Sequence, residues 1–293
     1  MRLRKEEERY ALRLITPSMI VVFGVIIIPI ITTLIYSLVN IDPLSSHRGE
    51  FAGLSFYTRA LSSKAFWQDL SRTLHFTVAS TALETVFGLL IALLLNQTFP
   101  GVRFLRSIII IPWAIPTVVN GSLWKLMLNG EYGVINALLT RFHLISDYQS
   151  WLGSPKTAMW CIIIADTWKM TPLAVIFFLA ALQGIDHAIY EAARVDGAGA
   201  FRSFRAITLP ALRPTIMVII VMRTVEKFKA FDIFYLMTRG GPANSTKTLM
   251  YDTYLEAFTH LNYSEAATYA YLIAFVVALL TLVYVKLMQR EEG

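Results

Sequence analysis

One cysteine, Cys161, among 293 residues excludes an internal disulfide framework and any multi-cysteine metal site. The five histidines, His47, His75, His143, His187 and His260, lie far apart with no HExxH-like spacing, so no metal-ligand set is written into the chain. Charge is sparse as well. Charged residues make up 16% and hydrophobic residues 56%, where a soluble domain carries about 25% and roughly 45–50%. This composition excludes a disordered chain and an ordinary cytosolic domain. Neither a G-x-x-x-x-G-K-[ST] phosphate loop nor a G-x-S-x-G elbow occurs, which excludes nucleotide hydrolysis and serine hydrolase chemistry by those routes. Asp166 with Lys169 and Asp186 with His187 are isolated pairs without a third orienting group, and read as structural ion pairs. The net charge of +6 fits membrane orientation better than nucleic-acid binding.

Long apolar runs are what the chain does have. A spanning helix needs about 20 mostly apolar residues, and Leu14 to Asn40 is uncharged, interrupted by Pro17 and Pro29. It is too long for a signal-peptide core and lacks an A-x-A cleavage pattern, so it reads as a retained helix. Further spans are predicted at Thr73–Leu95, Ser107–Leu123, Thr157–Leu182, Thr215–Met237 and Ala266–Val285. The fold class is therefore all-α: a polytopic, multi-pass membrane protein of six transmembrane helices with both termini on one side. Thirteen Lys and Arg flank the spans on that side, against seven opposite (Arg48, Arg59, Lys64, Arg141, Lys156, Arg239 and Lys247), which predicts cytoplasmic termini. Residues 1–13 read as a cytoplasmic N-terminal segment and 14–290 as one six-helix domain, in which 183–214 is the largest inner connection.

That connection reads Glu191-Ala192-Ala193-Arg194-Val195-Asp196-Gly197, then nine residues, then Ile207-Thr208-Leu209-Pro210. Alanines favour helix and glycine permits a sharp break, so a short charged helix facing the cytoplasm is expected. The pattern E-A-A-x3-G-x9-I-x-L-P resembles the signature loop of binding-protein-dependent ABC importer permeases. Further matches follow in order: Phe51 to Tyr57, Ile111 to Pro116, Glu131 to Asn136, Phe231 to Tyr235, and Thr238 to Pro242 with Thr246. They narrow the resemblance to carbohydrate importer permeases of the maltose/trehalose type.

The resemblance implies a type I ABC importer permease fold and a chain that is not itself an enzyme. It assigns Glu191, Ala192, Ala193 and Gly197 to contact with an ATPase subunit, with Arg194 and Asp196 as flanking charges and Leu209-Pro210 setting the return into the bilayer. The partners it implies are a second six-helix permease, two ATPase subunits that bind ATP and Mg, an extracytoplasmic solute-binding protein, and the lipid of a prokaryotic inner membrane. No cofactor is expected in this chain, and no nucleic acid. The implied cargo is a di- or oligosaccharide such as trehalose or maltose, with glycerol 3-phosphate or another small solute as the alternative within the family. An ion-coupled secondary transporter is the alternative outside it.

The predicted fifth span carries Arg223, Glu226, Lys227, Lys229 and Asp232. Each ion at the bilayer centre costs several kcal/mol unless paired or wetted. At 100° per residue Arg223, Glu226, Lys227, Ala230 and Phe234 form one stripe, and Lys229 and Asp232 lie on another face. Pairing of Arg223 with Glu226 and of Lys229 with Asp232 is expected. The stripe either lines a polar translocation cavity or is a buried ion-pair network that fixes packing. By resemblance, sugar contacts come from this stretch and from the fourth span around Trp168, Lys169 and Leu173, where an aromatic ring suits a sugar face and Pro172 opens the helix. The chain departs from the maltose pattern in carrying Arg223, Glu226 and Lys227 at uncharged positions.

Overall fold

The computed structural model describes residues 2–44 and 46–291. Side chains of 1–9, 11 and 287–293 fall outside the described residues, among them Arg2, Arg4, Lys5, Arg9 and Arg290 of the charge count. In chain order the helices are α1 (Arg2–Val22), a π-helical turn (Phe23–Ile27), α2 (Ile28–Leu38), α3 (Ser55–Ser62), α4 (Lys64–Leu95), α5 (Val102–Ile108), α6 (Ile111–Ala114), α7 (Thr117–Met127), α8 (Val134–Arg141), α9 (Ala158–Gln183), α10 (His187–Val195), α11 (Ala200–Ser203), a second π-helical turn (Phe204–Thr208), α12 (Leu209–Phe228), α13 (Asp232–Met237), α14 (Leu249–Phe258) and α15 (Tyr263–Glu291). The all-α expectation holds.

Five segments are long and apolar enough to cross a membrane: Leu12–Leu38, Lys64–Leu95, Ala158–Gln183, Ala200–Phe228 and Tyr263–Lys286. A bent helix pair brings the number to six if it is one span. The expected span Ser107–Leu123 is a pair, Val102–Ala114 and Thr117–Met127, bent by 94°. Ile115 between them is extended (φ −72°, ψ 130°), because Pro116 disfavours helical backbone in the residue before it and has no N–H to continue the ladder.

The chain falls into two compact units, 1–63 with 253–272 and 64–252 with 273–293. In the first, Ser264 ties the chain that leaves α2: its hydroxyl accepts from Ile41 N (3.0 Å) and donates to Val39 O (2.9 Å), while Asp42 Oδ1 accepts from Ser264 N (2.9 Å). Tyr271 OH donates to Ile30 O at 2.6 Å.

The core of the second unit is the seam where α4, α9 and α12 meet, with Ala92, Leu95, Ala174, Val175, Phe178, Leu182, Leu212 and Ile219 buried together. Between lipid-bathed helices, van der Waals fit rather than the hydrophobic effect drives association, and small residues let backbones approach. Gly88 shows this: a Cβ there would lie 2.6 Å from the Ala174 Cβ. Arg106 closes the end of α4 by donating to the Leu95 carbonyl from Nη2 (2.6 Å) and Nε (3.2 Å), satisfying an orphan acceptor at the helix terminus.

Two expectations need correction. The predicted fifth span, Thr215–Met237, is not one helix: α12 ends at Phe228, and α13 is redirected so that Phe234 packs edge-on against Phe76 (4.8 Å) and Leu236 meets Gly121, where a Cβ would sit 3.1 Å from the leucine. Among the described residues Lys229 and Asp232 therefore form no ion pair, because they sit on different helices or their caps rather than on one face. Pro172, expected to open its helix, lies inside a continuous α9. The Thr171 hydroxyl bonds the Thr167 carbonyl at 2.7 Å, one residue before the Trp168 carbonyl that the proline leaves without its helical donor.

Candidate functional site

Glu84 is the one charged residue between Thr73 and Leu95, and α4 carries it fully buried into the seam with α9 and α12. Its carboxylate accepts Arg223 Nε at 2.7 Å, Arg223 Nη2 at 3.3 Å and Lys227 Nζ at 2.6 Å. Arg223 also contacts Glu226, and Lys227 also contacts Asp166 on α9. Lys227 lies over the Phe76 ring, 5.2 Å from its centroid. Spacing of four between Arg223 and Lys227 puts both cations on one face of α12, so a single carboxylate opposite serves both.

The expected pair Arg223–Glu226 forms, and Glu226 remains exposed to 46%. Asp166 pairs with Lys227 rather than with Lys169, because α9 turns it towards α12. Lys169 is buried to 6% exposure and makes no hydrogen bond or ion pair among the described residues. The network thus holds Glu84, Asp166 and Glu226 against Arg223 and Lys227. Thr77, Thr81, Thr167 and Asn120 add buried oxygens without a partner among the described residues. Such oxygens favour hydroxylated company over hydrocarbon.

Trp168 stands apart from the charges. It packs edge-on against Trp124 (6.1 Å) and lines an apolar cavity of about 290 Å³ with Leu83, Phe87, Pro112 and Pro172. Leu173 and Ala230 are half-buried and carry no side-chain hydrogen bond.

The predicted coupling segment is a separate, exposed feature. Glu191, Ala192, Ala193 and Arg194 lie on α10, whose N-cap Asp186 accepts from Ala188 N at 2.9 Å. Asp186 is therefore a cap, and among the described residues the expected Asp186–His187 ion pair does not form. Asp196 is the C-cap, and Gly197 follows with φ +74°. The Ala198 N–H returns to the Ala193 carbonyl at 2.8 Å, a left-handed closure that glycine makes cheaply. Leu209 and Pro210 open α12, and Tyr190 OH bonds Thr208 Oγ1 at 2.8 Å, tying α10 to that opening. Ile189, Val195 and Phe201 are exposed to 50%, 89% and 77%, an apolar surface on an otherwise charged loop.

Residues 84–290 match the profile of the binding-protein-dependent transport system inner membrane component family. The chain belongs to that family. It is 38% identical over 288 residues, 97% of this chain and 95% of the relative, to the trehalose/maltose transport system permease protein MalF of Thermococcus litoralis. It is 34% identical to the lactose transport system permease protein LacF of Rhizobium radiobacter, covering 91% of this chain and 90% of the relative. Its fold matches a chain of a bacterial ABC transporter involved in the import of the acidic polysaccharide alginate, with TM-score 0.85, 23% identity and 99% coverage of both chains. The protein is thus a multi-pass inner-membrane permease component, and its relatives are permease subunits rather than enzymes.

Sequence reasoning missed Glu84 as the centre of this permease's charge network. The signal was available: a lone acid inside an apolar run marks a functional or paired position. What was missing is its partner, 139 residues away in the chain.

Proposed function

We propose that the chain is the half-pore subunit of an ATP-driven importer of di- or oligosaccharides, of the trehalose or maltose kind. The observation that carries this reading is the end-to-end similarity to a trehalose/maltose permease. The buried polar seam gives it a physical site. Arg223, Glu226, Lys227 and Lys169 offer donors and acceptors to sugar hydroxyls, Trp168 offers an apolar ring face, and Leu173 and Ala230 shape the wall. Glu84 and Asp166 hold the cations in place.

In this reading the termini are cytoplasmic, following the Lys and Arg asymmetry. Two ATPase subunits bind ATP and Mg and grip the exposed α10 segment through Glu191, Ala192, Ala193, Arg194, Asp196 and Gly197. Their closure moves Leu209-Pro210 and the α12 helix behind them, switching the pathway between outward and inward access. A second, similar permease completes the pore. A solute-binding protein delivers sugar to the opposite face, where Thr238–Thr246 is held by Thr246 Oγ1 bonding the Gly241 carbonyl at 2.8 Å. The chain contributes no ATPase site and no cofactor.

The test is uptake of labelled trehalose and maltose into proteoliposomes holding the complex co-purified through this chain. ATP-dependent accumulation that stops with Glu191→Arg supports the reading. Transport by the isolated chain under an ion gradient, without nucleotide, would overturn it.

A further inference from the structure

Thr73, Thr85, Thr171 and Thr268 each turn the hydroxyl back onto their own helix, bonding the carbonyl four residues earlier at 2.7–2.8 Å. Thr208 does not. Its hydroxyl shares a hydrogen bond with Tyr190 OH at 2.8 Å, while the Phe204 carbonyl four residues before it accepts the Leu209 N–H in a π-type bond. Single π turns of this kind recur at functional positions in helices.

The Tyr190–Thr208 bond bridges a gap that the backbone crosses loosely. Among the described residues no ion pair and no other side-chain hydrogen bond joins 186–198 to 199–228. The covalent path between them runs through Gly197 (φ +74°) and Gly199, where a Cβ would meet nothing within 4 Å, and past Val195 and Phe201, which are exposed to 89% and 77%. A displacement of α10 along that path is taken up by rotation at the glycines. The side-chain bond bypasses them.

Thr208 is also attached to what must move. It is 5% exposed, and at 100° per residue Leu212 and Ile219 lie within about 40° of it around α12. Both are fully buried in the seam with α4 and α9. Arg223 follows about 60° round and about 22 Å further along the helix. The stripe held by Tyr190 at one end therefore carries the Arg223–Glu84 contact near the other.

We propose that Tyr190 and Thr208 are positioning residues for transport, and that their hydrogen bond carries a displacement of α10 into α12 and so to Arg223 and Glu84. The inference rests on the coupling role proposed above for α10, and adds the bond through which that role is exerted.

The test measures ATP hydrolysis and uptake of labelled maltose or trehalose together, in proteoliposomes holding the intact complex and its binding protein. Tyr190→Phe and Thr208→Val each remove a hydroxyl with little change of shape. Either should lower the sugar accumulated per ATP about fivefold, the loss that one hydrogen bond of ordinary strength accounts for. The double variant should be no worse than the worse single one, because both hydroxyls act through one bond, and Thr208→Ser should restore the wild-type ratio. Hydrogen exchange adds an arm that needs no sugar, so a wrong cargo leaves it readable: ATP should alter protection of both α10 and α12 in wild type, but of α10 alone in Tyr190→Phe. A bond that merely braces the loop would slow hydrolysis and uptake together and leave their ratio unchanged. That result, additive losses in the double variant, or a retained α12 response in Tyr190→Phe would overturn the proposal. Wild-type α10 that does not respond to ATP would sink the coupling role itself, and this inference with it. Thr208→Val supplies the same readings if Tyr190→Phe does not assemble.

Discussion

Glu84 accepts Arg223 Nε at 2.7 Å inside the seam of α4 and α12, with both side chains at or below 2% exposure. One carboxylate from the second span thus neutralises the charged end of another, and Lys227 is bound to the same group.

Removing that carboxylate should be severe. Glu84→Ala leaves two buried cations to share Asp166 and Glu226, and loss of one partner of a buried pair costs about 3–5 kcal/mol. The expected outcome is loss of the assembled complex from detergent extracts, read by size-exclusion chromatography. Glu84→Gln should be milder, and Glu84→Ala with Arg223→Met milder than Glu84→Ala alone.

Gly88 should tolerate no side chain. The Gly88→Ala Cβ would meet the Ala174 Cβ at 2.6 Å and the Ala174 carbonyl carbon at 3.3 Å. The helices must part, at about 1–3 kcal/mol for overpacking. A lowered Tm in detergent, partly restored by Ala174→Gly, checks this.

Gly197 differs in kind, since nothing lies within 4 Å of a Cβ there and its φ is +74°. The cost of a substitution is conformational, roughly 1–2 kcal/mol for an ordinary residue in that region. Gly197→Val should impair sugar-stimulated ATPase activity in the reconstituted complex, while Gly197→Asn should retain most of it.

Lys247 should make stability sensitive to alkali. Burial by itself lowers its pKa, but the Asp252 and Asp69 carboxylates, at 2.9 and 3.0 Å, outweigh that and the net shift is upward from 10.5. A raised folded pKa gives a contribution that is complete below the unfolded value and lost as pH rises through the folded one. Wild-type Tm should therefore fall more steeply above pH 10.5 than that of Lys247→Met, which lacks the titrating group at every pH.

Much of the fold was legible because bilayer thickness demands long apolar runs, and those at Leu14, Thr73, Thr157 and Ala266 are plain in the residues. The α10 helix was legible because two of its signals are local, the alanines and the glycine at the break, although its Asp186 cap was read as an ion pair with His187. The charge network was not. Periodicity on a straight helix set Lys229 beside Asp232, yet the chain turns after Phe228 and separates them.

The amino-acid sequence by itself determined the class of protein, its number of apolar segments and the α10 motif, since each depends on composition or on neighbours within a few residues. Only the tertiary structure decided that Glu84 joins Arg223 and Lys227 and that the helix pair Val102–Ala114 and Thr117–Met127 bends by 94°. Those outcomes depend on which helix faces meet, and pairing between distant segments leaves no periodic trace in either one.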